Sequence, residues 1–479
     1  MKDIFSNVLR ELVSNRLARN YLLSKLDKYL YNSIVENDQN NLPEVQKKKY
    51  HFINSMLLSA VRNMDKGYFS KNVFKRLIHV LVENSFLNKQ TYSKELEDFK
   101  NQYGEYPPNF IVFSPTQACN LNCTGCYASS DPHTSAKLSY NMIEKIVSEL
   151  RNKFHIRFIT ISGGEPFMYT SQGKTLLDIF EKYNDIFFLV YTNGTLITPE
   201  VAERLGNTGN VTPAISVEGF EKETDERRGS GIHKKIRQAF ANLRNAGVPI
   251  GISVTATSKN ADLLLSDEFY DYYFKEEGIT YMWQFQLMPI GRSTHAFDLV
   301  VPPEKRVELY RKWGYLITEK KYCVADFWNS GVLVNGCIAY GRRGGYFYID
   351  WNGNIMPCVF VPYYVDNIYD LYNNSKSLVD ALFSDFMKNG RKWMRQYGQA
   401  HPENPNNWLM PCSIRDHYDN FRRNILPNHA KGENNEAEES LQDNKYYRKL
   451  IEYDKRLENL TENIWQEEYL ASEKQNTNQ

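Results

Sequence analysis

The chain has almost no net charge, no long apolar run and few cysteines, and each shortage excludes a class of protein. With 58 lysine and arginine residues against 57 aspartate and glutamate residues, the formal charge is +1, so no global field draws the molecule to nucleic acid or to an anionic membrane. No apolar stretch is long enough to span a bilayer, and the opening MKDIFSNVLRELVSNRLARNYLL is charged throughout, where a secretory signal would be continuously apolar. These features predict a cytoplasmic protein with no transmembrane segment and no nucleic-acid partner. Seven cysteines are an odd number for a disulfide framework, and three of them crowd into eight positions. That pattern suits thiolate ligation in a reducing compartment.

A length of 479 residues predicts two or three packed units. Residues 1–105 read as a helical N-terminal region, with Phe5, Val8, Leu9 and Leu12, and later Phe74, Leu77, Ile78 and Leu81, at helical spacing on either side of the polar stretch 36–43. From Asn109 the pattern becomes six short β-rich runs, at 111–113, 156–161, 186–191, 211–217, 250–256 and 282–288. The segments between them, such as 140–154 and 232–246, carry helical periodicity. Strand-helix alternation implies parallel strands with right-handed crossovers, hence a full or partial β/α barrel over residues 106–295. A helix is expected near 303–320, inside a smaller module over 296–425 that is rich in glycine and aromatic residues and contains cysteines. Residues 426–479 are strongly charged and read as an exposed helical or partly disordered tail.

The chemistry starts at Cys119-Asn-Leu-Asn-Cys123-Thr-Gly-Cys126-Tyr127, directly after the first strand. A closed zinc site wants four ligands, and an electron-transfer 4Fe-4S cluster wants four thiolates. Three thiolates at this spacing leave one iron open, although a zinc site or buried apolar thiols would also fit the cysteines taken alone. Gly163-Gly164-Glu165-Pro166 follows the second strand, Thr192-Asn193-Gly194 ends the third, and Ser216-Val217-Glu218-Gly219 ends the fourth. All fall at C-terminal strand ends, where β/α barrels gather active-site groups. The paired glycines would let backbone approach a ligand without Cβ interference.

CxxxCxxC after a first strand, followed by GGEP and an S-x-D-G-like segment, resembles the signature of the radical S-adenosylmethionine (SAM) superfamily. The resemblance covers 109–292 well. It implies an α/β fold built on a partial (β/α)6 TIM-like radical SAM barrel. It also implies a 4Fe-4S cluster on Cys119, Cys123 and Cys126 whose open iron binds SAM and cleaves it reductively to a 5'-deoxyadenosyl radical that abstracts hydrogen. By the same resemblance, Gly163, Gly164, Glu165 and Pro166 hold the SAM amine. Asn193 and Ser216 contact SAM and Tyr127 offers its backbone to the adenine; the Arg228 guanidinium suits bidentate pairing with the SAM carboxylate, a surface charge being the plain alternative. Glu218 stands where the family has Asp, which leaves its role open; no residue is singled out as catalytic. A reductant such as ferredoxin or flavodoxin is implied as partner.

In the second module, Cys337, fifteen further residues, Gly353-Asn-Ile-Met-Pro-Cys358 and a later Pro411-Cys412 resemble the opening of SPASM and twitch auxiliary-cluster domains. A hairpin around Asn352-Gly353 would bring Cys337 and Cys358 together. The dense cysteine run of a full SPASM domain is missing after Cys358, so the resemblance allows a single auxiliary iron-sulfur cluster. Cys323, a side chain near Asp416 and His417, or a substrate would be its fourth ligand; packed core cysteines are the plain alternative. The substrate is left as a peptide, a lipid or a small metabolite. Peptide maturases of the family often carry a winged-helix leader-recognition domain, and a purely helical N-terminal region weighs against that choice. The alternative to an enzyme is a non-catalytic iron-sulfur sensor or scaffold.

Overall fold

The computed structural model describes residues 16–38, 41–77, 89–400 and 405–471. The apolar positions Phe5, Val8, Leu9, Leu12, Ile78 and Leu81 lie outside these residues, as does the end of the charged tail.

One ten-stranded sheet organises the chain. In chain order its strands are β1 (Ile111–Phe113), β2 (Phe158–Ile161), β3 (Phe187–Thr192), β4 (Val211–Val217), β5 (Gly251–Ala256), β6 (Tyr281–Gln286), β7 (Val324–Asp326), β8 (Tyr348–Ile349), β9 (Asn354–Met356) and β10 (Asp366–Asn367). Strands β1 to β6 lie side by side in sequence order and all pair in parallel. Their residues are almost all buried, as in FFLVYT and VTPAISV, because helices cover one face and the barrel interior the other. The crossover helices start where the sequence supplies a cap. Ser139 accepts from the Met142 amide ahead of Tyr140–Asn152, and Thr198 accepts from that of Val201 ahead of Pro199–Thr208. Each crossover returns the chain to the same edge of the sheet, which places the loops after β1 to β6 together.

Two features depart from a six-stranded barrel. β7 adds in parallel beyond β6, and β8 pairs in parallel with β1, so the second module continues the core sheet at its first edge. The hairpin expected around Asn352-Gly353 forms, with Tyr348 opposite Met356 and Ile349 opposite Ile355. Asp350 shapes its turn by accepting from the Asn352 and Asn354 amides, and Gly353 takes φ +82°.

The helix Pro43–Asp65 packs across the β5–β7 side, where Asn63 donates to Gly278 O and Thr280 Oγ1. The charged C-terminal segment departs from the expected exposure. Helix Asn444–Ile464 buries Tyr446, Leu450, Leu457 and Thr461 along one stripe, and Trp465 and Tyr469 beyond it are buried as well. It lies against the helix Pro303–Tyr315. Apart from Asp454, buried on the stripe and accepting from Tyr418 N, most of the charges occupy the other faces, so overall polarity hides a packed helix. Among the described residues no helix is long and apolar enough to cross a membrane.

Candidate active site

The loop after β1 carries the three clustered cysteines and is held by groups from distant strand ends. Cys119 N donates to Asp131 O, and Thr124 N donates to Arg227 O. Arg292, after β6, donates from Nη1 to Cys123 O at 2.7 Å and from Nη2 to Ser130 O, while its backbone N–H donates to Cys126 O. Asn193 donates from Nδ2 to Asn120 Oδ1 at 2.8 Å, and the same amide faces Cys119 Sγ at 3.8 Å.

The GGEP turn closes on this loop from below. A Cβ on Gly164 would stand 2.1 Å from Ala118 O and 2.3 Å from Gln117 O, and one on Gly163 2.7 Å from Thr116 O. Gly164 N and Glu165 N donate to Thr116 O and Ala118 O. The two glycines therefore serve first to let the β2 turn abut the cysteine loop. Glu165 is fully buried and faces the protein: Oε1 accepts from Phe167 N and Thr192 Oγ1, and Oε2 from Asn193 N. Burial raises its pKa, and these donors oppose the rise. It ties the ends of β2 and β3 together.

A cavity of about 430 Å³ opens above these strand ends. Cys119, Cys123 and Cys126 line it together with Tyr127, Gly163, Gly164, Asn193, Ser216 and Arg228. Glu165, Pro166 and Glu218 are not among its lining residues. Glu218 is 2% exposed and holds two arginines, Arg228 through Nε at 3.0 Å and Arg227 through Nη1 at 2.6 Å. Sequence reasoning passed over Arg227, the neighbour of Arg228 in Arg-Arg-Gly, and missed Arg292, which lies in no local motif. Burial pushes the Cys119 thiol up to about 12 and raises that of Cys123, which Arg228 and Arg227 partly oppose. The thiolate forms of Cys119 and Cys123 are thus disfavoured by burial, and a bound metal centre must displace their protons.

Cys337, Cys358 and Cys412 of the second module line an adjoining cavity of about 380 Å³. Tyr346 Oη lies 2.9 Å from Cys358 Sγ, and Phe360 N donates to the same sulfur at 3.4 Å. Burial pushes Cys358 up to about 12 and raises Cys337 and Cys412. Cys323, Asp416 and His417 do not line it. Cys323 is buried at the edge of β7, its N–H donating to Ser59 Oγ. Asp416 is engaged by Arg306 through both oxygens and by Cys412 N, and His417 Nε2 meets Met410 O. Trp283, Phe327, Ile338 and Phe360 line both cavities and form the partition between them.

Among the described residues no group of three or more Cys, His, Asp or Glu side chains is gathered for a single metal ion. A polynuclear cluster asks for something different, because each thiolate takes its own iron and the sulfurs stand apart. Three thiols on one cavity wall fit that donor set at both places.

Residues 113–258 match the family model described as the radical SAM superfamily. The chain is 30% identical over 293 residues to the mycofactocin maturase MftC of Mycobacterium tuberculosis, covering 59% of this chain and 71% of that protein. The chain belongs to the radical SAM superfamily. This radical SAM enzyme is also 26% identical over 294 residues to the AdoMet-dependent heme synthase of Methanosarcina barkeri, with 54% of this chain and 79% of that protein covered. It is 25% identical over 268 residues to the sporulation killing factor maturation protein SkfB of Bacillus subtilis, with 53% and 60% covered. Membership in this superfamily implies a 4Fe-4S cluster and SAM as cofactors. It does not favour the sensor or scaffold alternative.

Proposed function

We propose that this radical SAM enzyme matures a peptide, with Cys119, Cys123 and Cys126 holding the SAM-binding cluster and Cys337, Cys358 and Cys412 holding one auxiliary cluster. The observation that carries the reading is that all three thiols of the CxxxCxxC loop line one cavity with the ends of β2, β3 and β4. When bound, the 4Fe-4S cluster supplies the electron that splits SAM into methionine and a 5'-deoxyadenosyl radical. Arg228 presents a guanidinium for the SAM carboxylate, and Glu218 orients it together with Arg227. Ser216, within 3.0 Å of Ser253, offers a hydroxyl on the same wall. Arg292 and Asn193 fix the loop so that the thiols keep their spacing. Trp283, Phe327 and Phe360 give the cavity an aromatic wall toward the second cavity.

Two considerations support a peptide over a small metabolite: MftC and SkfB are named for maturation, and two adjoining cavities suit an extended substrate. The test is anaerobic reconstitution with iron and sulfide, reduction with dithionite in the presence of SAM, and assay of 5'-deoxyadenosine in the wild type and in Cys123→Ala. Formation in the wild type alone is expected; formation at the same rate in Cys123→Ala overturns the ligand assignment. Iron content of the wild type against Cys358→Ala then counts the clusters.

A further inference from the structure

The second cavity is not built by the cysteine module alone. Its outer wall comes from the N-terminal helices, with Gln46, Lys49, Phe52 and Ile53 presented by Pro43–Asp65. These positions fall three, four and seven apart, so one helix face forms the wall. Most of the remaining wall is apolar, and Lys49 and Asp38 are the charged residues on it. Lys49 Nζ donates to Asn335 Oδ1 at 2.9 Å, a neutral partner. The charges acting on it are Asp38, which also lines the cavity, and Arg342, which does not. Burial lowers the Lys49 pKa to about 8. Two further polar atoms on the wall have no hydrogen-bond partner. Trp328 Nε1 is a buried donor and Gln46 Oε1 a buried acceptor, in side chains that are each 1% exposed. Buried polar atoms are seldom left unpaired unless a ligand or water completes them.

A cation with an incomplete shell, a free indole donor and a free amide acceptor, set in apolar walls, match one kind of group. The last residue of a peptide has a carboxylate to accept, a backbone N–H to donate and an apolar side chain to bury. We infer that the second cavity seats the apolar, carboxylate-terminated end of the substrate peptide, with Lys49 as the residue that recognises the carboxylate. This rests on the peptide reading proposed above. It gives the N-terminal helices a function: they select substrate at the auxiliary site, while the partition shared with the SAM cavity sets how far the reacting residue lies from that end.

The test uses the anaerobically reconstituted full chain and calorimetric titration with N-acetyl-Leu-Phe and with its C-terminal amide. In the wild type the acid is expected to bind about tenfold or more tightly than the amide. Lys49→Met should bring that ratio to about one, Lys49→Arg should keep most of it, and Lys48→Met should match the wild type. Lys48 neighbours Lys49 in sequence but pairs with Glu44 and does not line the cavity. Equal binding of acid and amide by the wild type, binding of neither at millimolar concentration, or a ratio unchanged in Lys49→Met would overturn the inference. Formation of 5'-deoxyadenosine, measured on the same wild-type sample without either probe, reports on the cluster chemistry separately.

Discussion

The two cavities are made of the same materials, three thiols in a mostly apolar pocket, but they are assembled in opposite ways. The SAM-side cavity takes its thiols, Asn193, Ser216 and Arg228 from successive strand ends within one barrel, and the second module adds Phe327, Ile338, Tyr346, Val359 and Phe360 to its wall. The auxiliary-side cavity draws on Lys49, Trp328, Cys337, Cys358 and Cys412, and its Lys49–Asn335 contact spans 286 residues of chain. The first is positioned by local strand-loop geometry. The second depends on a helix, a hairpin and a later loop docking together, so its integrity should follow overall stability more closely.

The largest effect that would break this contrast is expected at Gly164. Gly164→Ala drives a methyl into the carbonyls of Ala118 and Gln117, and 5'-deoxyadenosine formation should fall about 100-fold or more as the cysteine loop is displaced. Iron at the auxiliary site should be retained, and loss of both clusters together would show that the two sites are not independent. Arg306→Met comes next. It leaves Asp416 buried without its bidentate partner, which should cost about 3–5 kcal/mol in urea unfolding. Because Asp416 also accepts from Cys412 N, iron should be lost from the auxiliary site first, as followed by EPR; equal loss from both sites would refute the ordering.

The smallest effect concerns Glu433, near Tyr127 on one side and Asp350 of the hairpin on the other. Burial and then Asp350 push its carboxyl up to about 8. A carboxyl raised on folding binds its proton more tightly in the native state. Stability is therefore highest below the unfolded pKa and falls as pH rises through the window from about 4.5 to about 8. Melting temperature against pH should decline across that window in the wild type and be flatter in Glu433→Gln. Parallel profiles would remove Glu433 as the cause.

The strands were legible because burial on both faces leaves continuous apolar runs: β1 and β4 fall where the sequence places them, and β2, β3, β5 and β6 shift only at their ends. β7 was not legible, since Val-Ala-Asp has no period and gains its strand form by pairing with β6. Cys119, Cys123, Cys126, Gly164, Asn193 and Ser216 could be read as one site because motif order on successive strands maps onto neighbouring loops. Glu165 and Glu218 fall in those same motifs, yet their carboxylates turn inward to tie strand ends and arginines. Sequence order does not say which way a side chain faces at a loop. The C-terminal stripe from Tyr446 to Trp465 was masked by the charges between its members.

By itself the sequence determined the parallel barrel core and the spacing of the SAM-side thiols, because both follow from short-range rules of side-chain burial and covalent connectivity. Only the tertiary structure decided that the cysteine module would share a sheet with the barrel, that Arg292 would clamp the cysteine loop, and that the N-terminal helix would wall the second cavity. Each of those is a contact between segments far apart in the chain, where loop closure must be overcome by packing that no local pattern encodes.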